Sequence, residues 1–152
     1  MNANHLIVVG IDGSDGARRA LDWAAQEAAT RGGTLRVVTA WRWDSGTVVS
    51  PVEERQRANK LLDQELAAST ARHGAALPVV GEVHEGRAAD VLTLAARSAD
   101  LLVLGSHGHS RLHHTVLGSV SEECIRKATC PVVVIPVPAP ATPAPAGAVA
   151  VG

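Results

Sequence analysis

The sequence predicts an α/β protein, an open five-stranded parallel sheet, doubly wound, with helices on both faces. Three observations predict it. Five short aliphatic runs recur along the 152 residues. They carry little polar alternation, as strands buried on both faces do. Segments with helical spacing separate them, and strands alternating with helices need crossovers whose right-handedness puts helices on both sides of a parallel sheet.

The runs are LIVVGI from Leu6, LRVVTAW from Leu35, LPVVGEV from Leu77, LLVLG from Leu101 and PVVVIPV from Pro131. Between the first two, Ala17, Ala20, Leu21, Ala24, Ala25 and Ala28 keep the i, i+3, i+4 spacing of one buried helix face, and Gly32-Gly33 ends that helix. A second helix is expected from about Val52 to His73, with a less regular stripe of Ala58, Leu61, Leu62 and Leu66. Ala88, Val91, Leu92, Ala95 and Ala99 mark a third helix, and Val120, Cys124, Ile125 and Ala128 a fourth.

The length is that of one domain with a full core. Phe and Tyr are absent and Trp23, Trp41 and Trp43 are the only aromatic side chains, so the core must be aliphatic. A net charge of -1, with no basic patch interleaved with aromatics, excludes a nucleic-acid partner. Met1 to Asn4 lack a basic n-region and Leu6–Ile11 is too short to span a bilayer, so no membrane partner and a cytoplasmic location are expected. Cys124 and Cys130 fit neither a Cys-x-x-Cys motif nor a disulfide framework and read as small buried hydrophobes. The alternating Pro and Ala after Pro136 cannot pack a core, which sets one domain over residues 1–137 and a disordered tail over 138–152.

Two common phosphate loops are excluded by spacing. No Gly-x4-Gly-Lys-Ser/Thr exists, and the first strand-to-helix turn, GIDGSDG, spaces its glycines G-x-x-G-x-x-G rather than G-x-G-x-x-G. What is present is Gly105-x2-Gly108-x9-Gly118-Ser119, opening where the fourth strand ends and closing where the fourth helix begins. Glycines there let backbone N–H groups face a ligand, and a helix N-terminus adds unpaired N–H groups at its positive end, which is chemistry for phosphate oxygens.

At these residues the chain resembles the ATP-binding branch of the universal stress protein family. VVGIDGSDGARRALDWA looks like the family's opening and GSHGHSRLHHTVLGSVSEECIRKATCPVVVI like its closing motif. The resemblance implies a Rossmann-like sheet of order 3-2-1-4-5, binding of an adenosine nucleotide, ATP with or without Mg, and a homodimer paired through the last strand. In an open α/β sheet of that order, ligands sit beyond the strand ends where the order reverses, between the first and fourth strands. By resemblance Asp12 meets the ribose or adenine side, Ala40 the adenine through its backbone, and Gly10 and Ile11 the pocket wall. Gly105, Ser106, Gly108, His109, Arg111, Gly118, Ser119, Val120 and Ser121 fall on the phosphate side.

Each of these residues has a plainer reading. Asp12 could cap the helix that begins near Ser14. Ser119-Val120-Ser121-Glu122 is itself a capping box, a role compatible with phosphate binding. Trp41 and Trp43 either stack on adenine or anchor their loop. His107, His109, His113 and His114 could hold zinc, but no Cys or carboxylate partner stands at ligand spacing and no metal site is assigned. The family's stretch is often Arg-rich where this chain has Arg111 and histidines, which makes His109, His113 and His114 a pH-dependent source of positive charge. The expected role is a nucleotide-dependent switch or scaffold in stress response. The alternatives are a slow ATPase, for which no catalytic base can be named, and a nucleotide-free dimeric scaffold.

Overall fold

A computed structural model describes residues 5–107 and 117–138. Strands β1 (Leu6–Gly10), β2 (Thr34–Trp41), β3 (Val79–Glu85), β4 (Leu101–Gly105) and β5 (Val132–Ile135) alternate with helices α1 (Asp15–Thr30), α2 (Pro51–His73), α3 (Ala88–Ala95) and α4 (Ser119–Lys127). A 3-10 turn, Ala96–Ser98, extends α3. The strands form one sheet in the order β3-β2-β1-β4-β5, every pair parallel. The expected architecture is the observed one. All of the expected tail except Pro138 lies outside the described residues.

Side chains alternate across the sheet and divide the core in two. Ile7 and Val9 of β1, Leu35 and Val37 of β2 and Val103 of β4 pack beneath α1 and Leu62 of α2. Val8, Val38, Leu102 and Leu104 point the other way, against Ala89, Leu92 and Ala96 and against Cys124 of α4. All six residues of the α1 stripe are buried. That helix starts because Ser14 accepts a hydrogen bond from the Ala17 N–H at 3.2 Å. It ends where Gly32, at φ 63°, takes the left-handed turn that the Gly32-Gly33 pair predicts.

The less regular α2 stripe has a physical cause. Ala58 and Leu62 are buried, but the next turns bury Glu65 and Ser69 instead of leucines. Glu65 accepts from the Arg18 Nε of α1 at 3.1 Å, so a charge pair joins the two helices where apolar packing would be expected. The helix begins one residue earlier than expected, at Pro51, because the Ser50 hydroxyl caps it, accepting from the Glu53 N–H at 3.2 Å while donating to the Glu53 carboxylate at 3.4 Å.

Three expectations need correction. The third strand starts at Val79 rather than Leu77 and is an edge strand, with Val79 and Val80 exposed. Its outer face carries Glu82, which accepts from Arg36 and interacts with His84 at 2.8 Å. Burial raises the Glu82 carboxyl, but the hydrogen bonds from His84 and Arg36 outweigh it and leave it below the usual carboxylate range. On α4, Val120 and Ile125 are exposed and the buried residues are Ser121 and Cys124. On the third stripe, Ala99 lies past the helix, where the chain has turned into an extended conformation after the 3-10 turn.

The end of β4 and the start of α1 touch backbone to backbone. A Cβ added to Gly105 would lie 2.8 Å from the Gly16 carbonyl carbon and oxygen. A methyl group there must push the helix off the sheet, so Gly105→Ala is expected to cost about 1–3 kcal/mol in stability, measured by urea unfolding. An unchanged midpoint would show that the contact yields freely.

Candidate functional site

The sheet order reverses between β1 and β4, so the connections leaving their carboxyl ends diverge and open a crevice. A cavity of about 310 Å³ occupies it. Its floor is the sheet itself: Gly10 and Ile11 at the end of β1, Val38 and Ala40 of β2, and Leu104 and Gly105 of β4. Ala88 and Leu92 of α3 form one side wall, and Gly118, Ser119, Val120 and Ser121 at the start of α4 form the far end with His107. Gly10 is small for a reason visible here, since a Cβ on it would come within 2.8 Å of a Leu92 methyl group.

The polar end is built by a strap between β4 and α4. The Gly118 N–H donates to the Ser106 carbonyl at 2.6 Å. The Ser121 hydroxyl donates to the Gly105 carbonyl at 2.6 Å. These bonds fix where α4 begins, and they shift its cap by one residue from the expected place. Gly118 is the N-cap, Ser119 is the first helical residue, and no side chain caps the helix. The expected capping box therefore does not form, and Glu122 pairs with Arg126 instead. The first-turn residues Ser119, Val120 and Ser121 line the cavity at the positive end of the helix dipole, and among the described residues no side chain caps their N–H groups.

The opposite rim carries Asp12. Its carboxylate accepts from the Ser14 N–H at 2.9 Å, and Ser14 in turn caps α1. Asp12 thus supports the cap rather than being the cap, and it remains exposed on the cavity rim. Among the described lining residues it is the single carboxylate, and none is Lys or Arg.

Of the residues expected from sequence, Gly10, Ile11, Asp12, Ala40, Gly105, Gly118, Ser119, Val120 and Ser121 line this one cavity. Ser106 does not line it; it is buried behind, its carbonyl holding Gly118 and its hydroxyl 3.1 Å from His107 Nδ1. Gly108, His109 and Arg111, with His113 and His114, lie outside the described residues. Trp43 anchors its loop, its indole N–H donating to the Val49 carbonyl at 2.8 Å, and neither Trp41 nor Trp43 lines the cavity. Sequence reasoning missed Ser14, Ala17, Val38, Ala88, Leu92, Leu104 and His107. The signal for Ala88 and Leu92 is topological: a helix joining β3 to β4 must cross β2 and β1, which brings its start over the crevice. Among the described residues no group of three His, Cys, Asp or Glu side chains could hold a metal, and no helix is long and apolar enough to cross a membrane.

Comparison with known proteins agrees with this fold. The profile of the Universal stress protein family matches residues 4–136. The chain belongs to the universal stress protein family. Universal stress protein Rv1996 of Mycobacterium tuberculosis is 33% identical over 154 residues, covering 86% of this chain and 47% of its own length. The chain thus spans about half the length of the curated relatives it matches. A universal stress protein crystallised in complex with cAMP is 28% identical with a TM-score of 0.69, over 88% of this chain and 98% of that one. A family member from Burkholderia pseudomallei is 30% identical with a TM-score of 0.67, over 88% and 96%.

Cys124 sits on the face of α4 turned to α3, fully buried, and burial pushes its thiol up to about 11. A raised thiol favours folding while it stays protonated, so its contribution is lost as pH rises from about 9 through about 11. Iodoacetamide at mildly alkaline pH is expected to leave Cys124 unmodified in the folded protein and to label it in urea, read by peptide mass spectrometry. Rapid labelling in the folded state would mean that α4 opens readily.

Proposed function

We propose that this universal stress protein binds an adenine nucleotide, ATP with or without Mg, in the crevice between β1 and β4 and acts in the cytoplasm as a nucleotide-dependent switch or scaffold in stress response. One observation carries the reading: an apolar slot floored by Ile11, Val38, Ala40 and Leu104 runs into the N-terminus of α4. A flat aromatic base gains from the slot by losing water-exposed apolar surface, and phosphate oxygens gain from the helix N–H groups. The cAMP complex of a universal stress protein of the same fold supports an adenine nucleotide as the class of ligand. Asp12 stands on the rim where a ribose hydroxyl or a phosphate-bound Mg would need a carboxylate, since Mg usually takes one or two carboxylates besides phosphate and water.

The test is mass spectrometry of the purified protein for retained nucleotide, followed by calorimetry with AMP, ADP and ATP. Gly118→Val is expected to weaken ATP binding by about tenfold or more, with unchanged far-UV circular dichroism. Its Cβ would stand 3.2 Å from the Ser106 carbonyl and pry apart the strap that aims the helix N–H groups. Unaltered affinity would sink the phosphate assignment. Appearance of ADP over hours would mark a slow ATPase.

The same proposal includes a homodimer through β5. That strand closes one side of the sheet and is followed by Pro136 and Pro138, which lack N–H donors. The Pro131 and Ile135 carbonyls accept from Leu102 and Ser106, so alternation turns the main chains of Val132 and Val134 toward the open edge. Val134→Pro is expected to give a folded monomer by sedimentation. A folded Val134→Pro dimer would place the pairing surface elsewhere.

A further inference from the structure

The two helices that wall the cavity are short and meet through small side chains. Ala89 and Ala96 of the α3 segment and Cys124 of α4 belong to one buried cluster with Leu92. Contacts between such small groups let the helices approach closely and leave their relative position dependent on further links between them. Above this contact, at the surface, four charges form a closed ring. Arg87 reaches Glu123 at 2.7 Å and Asp90 at 3.2 Å, and Lys127 reaches Glu123 at 2.6 Å and Asp90 at 3.1 Å. Each cation thus holds both carboxylates, and two of the four links cross from α3 to α4.

The ring is placed where the cavity is made. Arg87 immediately precedes Ala88, and Asp90 lies between Ala88 and Leu92, the two α3 residues on the wall. Glu123 and Lys127 follow, within two turns, the Ser119–Ser121 segment at the polar end. The isolated surface pair is a weak interaction, since ordering two long side chains cancels much of its gain. In a closed ring each side chain is ordered once and serves two partners, so the second link on each costs little further entropy. The hydrogen bonds from Lys127 and Arg87 hold the Glu123 carboxyl at about 2, so the ring keeps all its charges at neutral pH.

We propose that Arg87, Asp90, Glu123 and Lys127 are positioning residues that lock the α3 wall to the α4 wall and so set the width of the nucleotide cavity. The proposal rests on the nucleotide reading above. It predicts that salt, by screening the ring, loosens the site even for a ligand without charge. Adenosine is the probe, because it lacks the phosphate whose own screening would mask the effect.

Calorimetry of the full chain at about 50 mM and about 500 mM NaCl is expected to show adenosine affinity falling roughly threefold to tenfold with salt. Lys127→Met and Glu123→Gln should bind adenosine more weakly by a similar factor at low salt and lose the salt response. Lys127→Arg, which keeps the charge and both links, should restore both. If Lys127→Met and Glu123→Gln keep the affinity and salt response of the unmodified protein while melting earlier, the ring serves stability alone and the proposal is overturned. If the unmodified protein binds neither adenosine nor ATP, the nucleotide reading falls first and the ring proposal with it.

Discussion

The contact between the last residue of β4 and the first turn of α1 is the constraint on which the site depends. Gly105 lies against Gly16, and Gly16 in turn lies under the His107 carbonyl, with no room for a Cβ on either residue. That contact brings the carboxyl end of β4 level with the loop that leaves β1. From there Ser106 and Gly105 offer carbonyls to Gly118 and Ser121, and the start of α4 follows. The crevice at the strand-order reversal is general to such sheets. Its closure at one end by a helix N-terminus is specific to this chain of backbone contacts.

The same geometry explains why the cavity is apolar along its length and polar at one end. Strand ends contribute residues whose alternation already turns them toward the core, such as Val38 and Leu104. At the α4 end polarity enters through main-chain groups rather than through cationic side chains, for among the described residues the lining has no Lys or Arg. Fixed dipoles of this kind need no reorganisation when a ligand arrives, whereas a long cationic side chain would have to give up rotamer freedom.

Much of the fold was legible because periodicity reports local burial. The α1 stripe from Ala17 to Ala28 is a clean case, since its six positions face one sheet. Edges were less legible: the Val-Val pair of β3 reads like the Val-Val pair of β2, and only strand order leaves Val79 and Val80 uncovered. Glu65 and Ser69 broke the α2 stripe because a partner on α1 satisfies the carboxylate, and such a partner is invisible to local spacing. The site followed a similar division. Gly105 and Gly118 announced themselves through spacing and Gly10 and Asp12 through the family resemblance, whereas Ala88 and Leu92 required the crossover of α3 to be traced. The cap of α4 fell one residue early because the Ser106 carbonyl captures Gly118, a tertiary bond that outweighs the local preference of Ser119 for the cap.

The two borders of the sheet are unlike. Along β3 the Glu82, His84 and Glu85 side chains, with Arg36 beside them, place charge where a stray strand would have to dock. Along β5 the sequence is Val-Val-Val-Ile, without a charge. Charged borders deter strand addition and bare aliphatic ones invite it. The twofold pairing proposed through β5 would consume both bare borders at once and leave only the guarded β3 borders at the outside of a ten-stranded sheet.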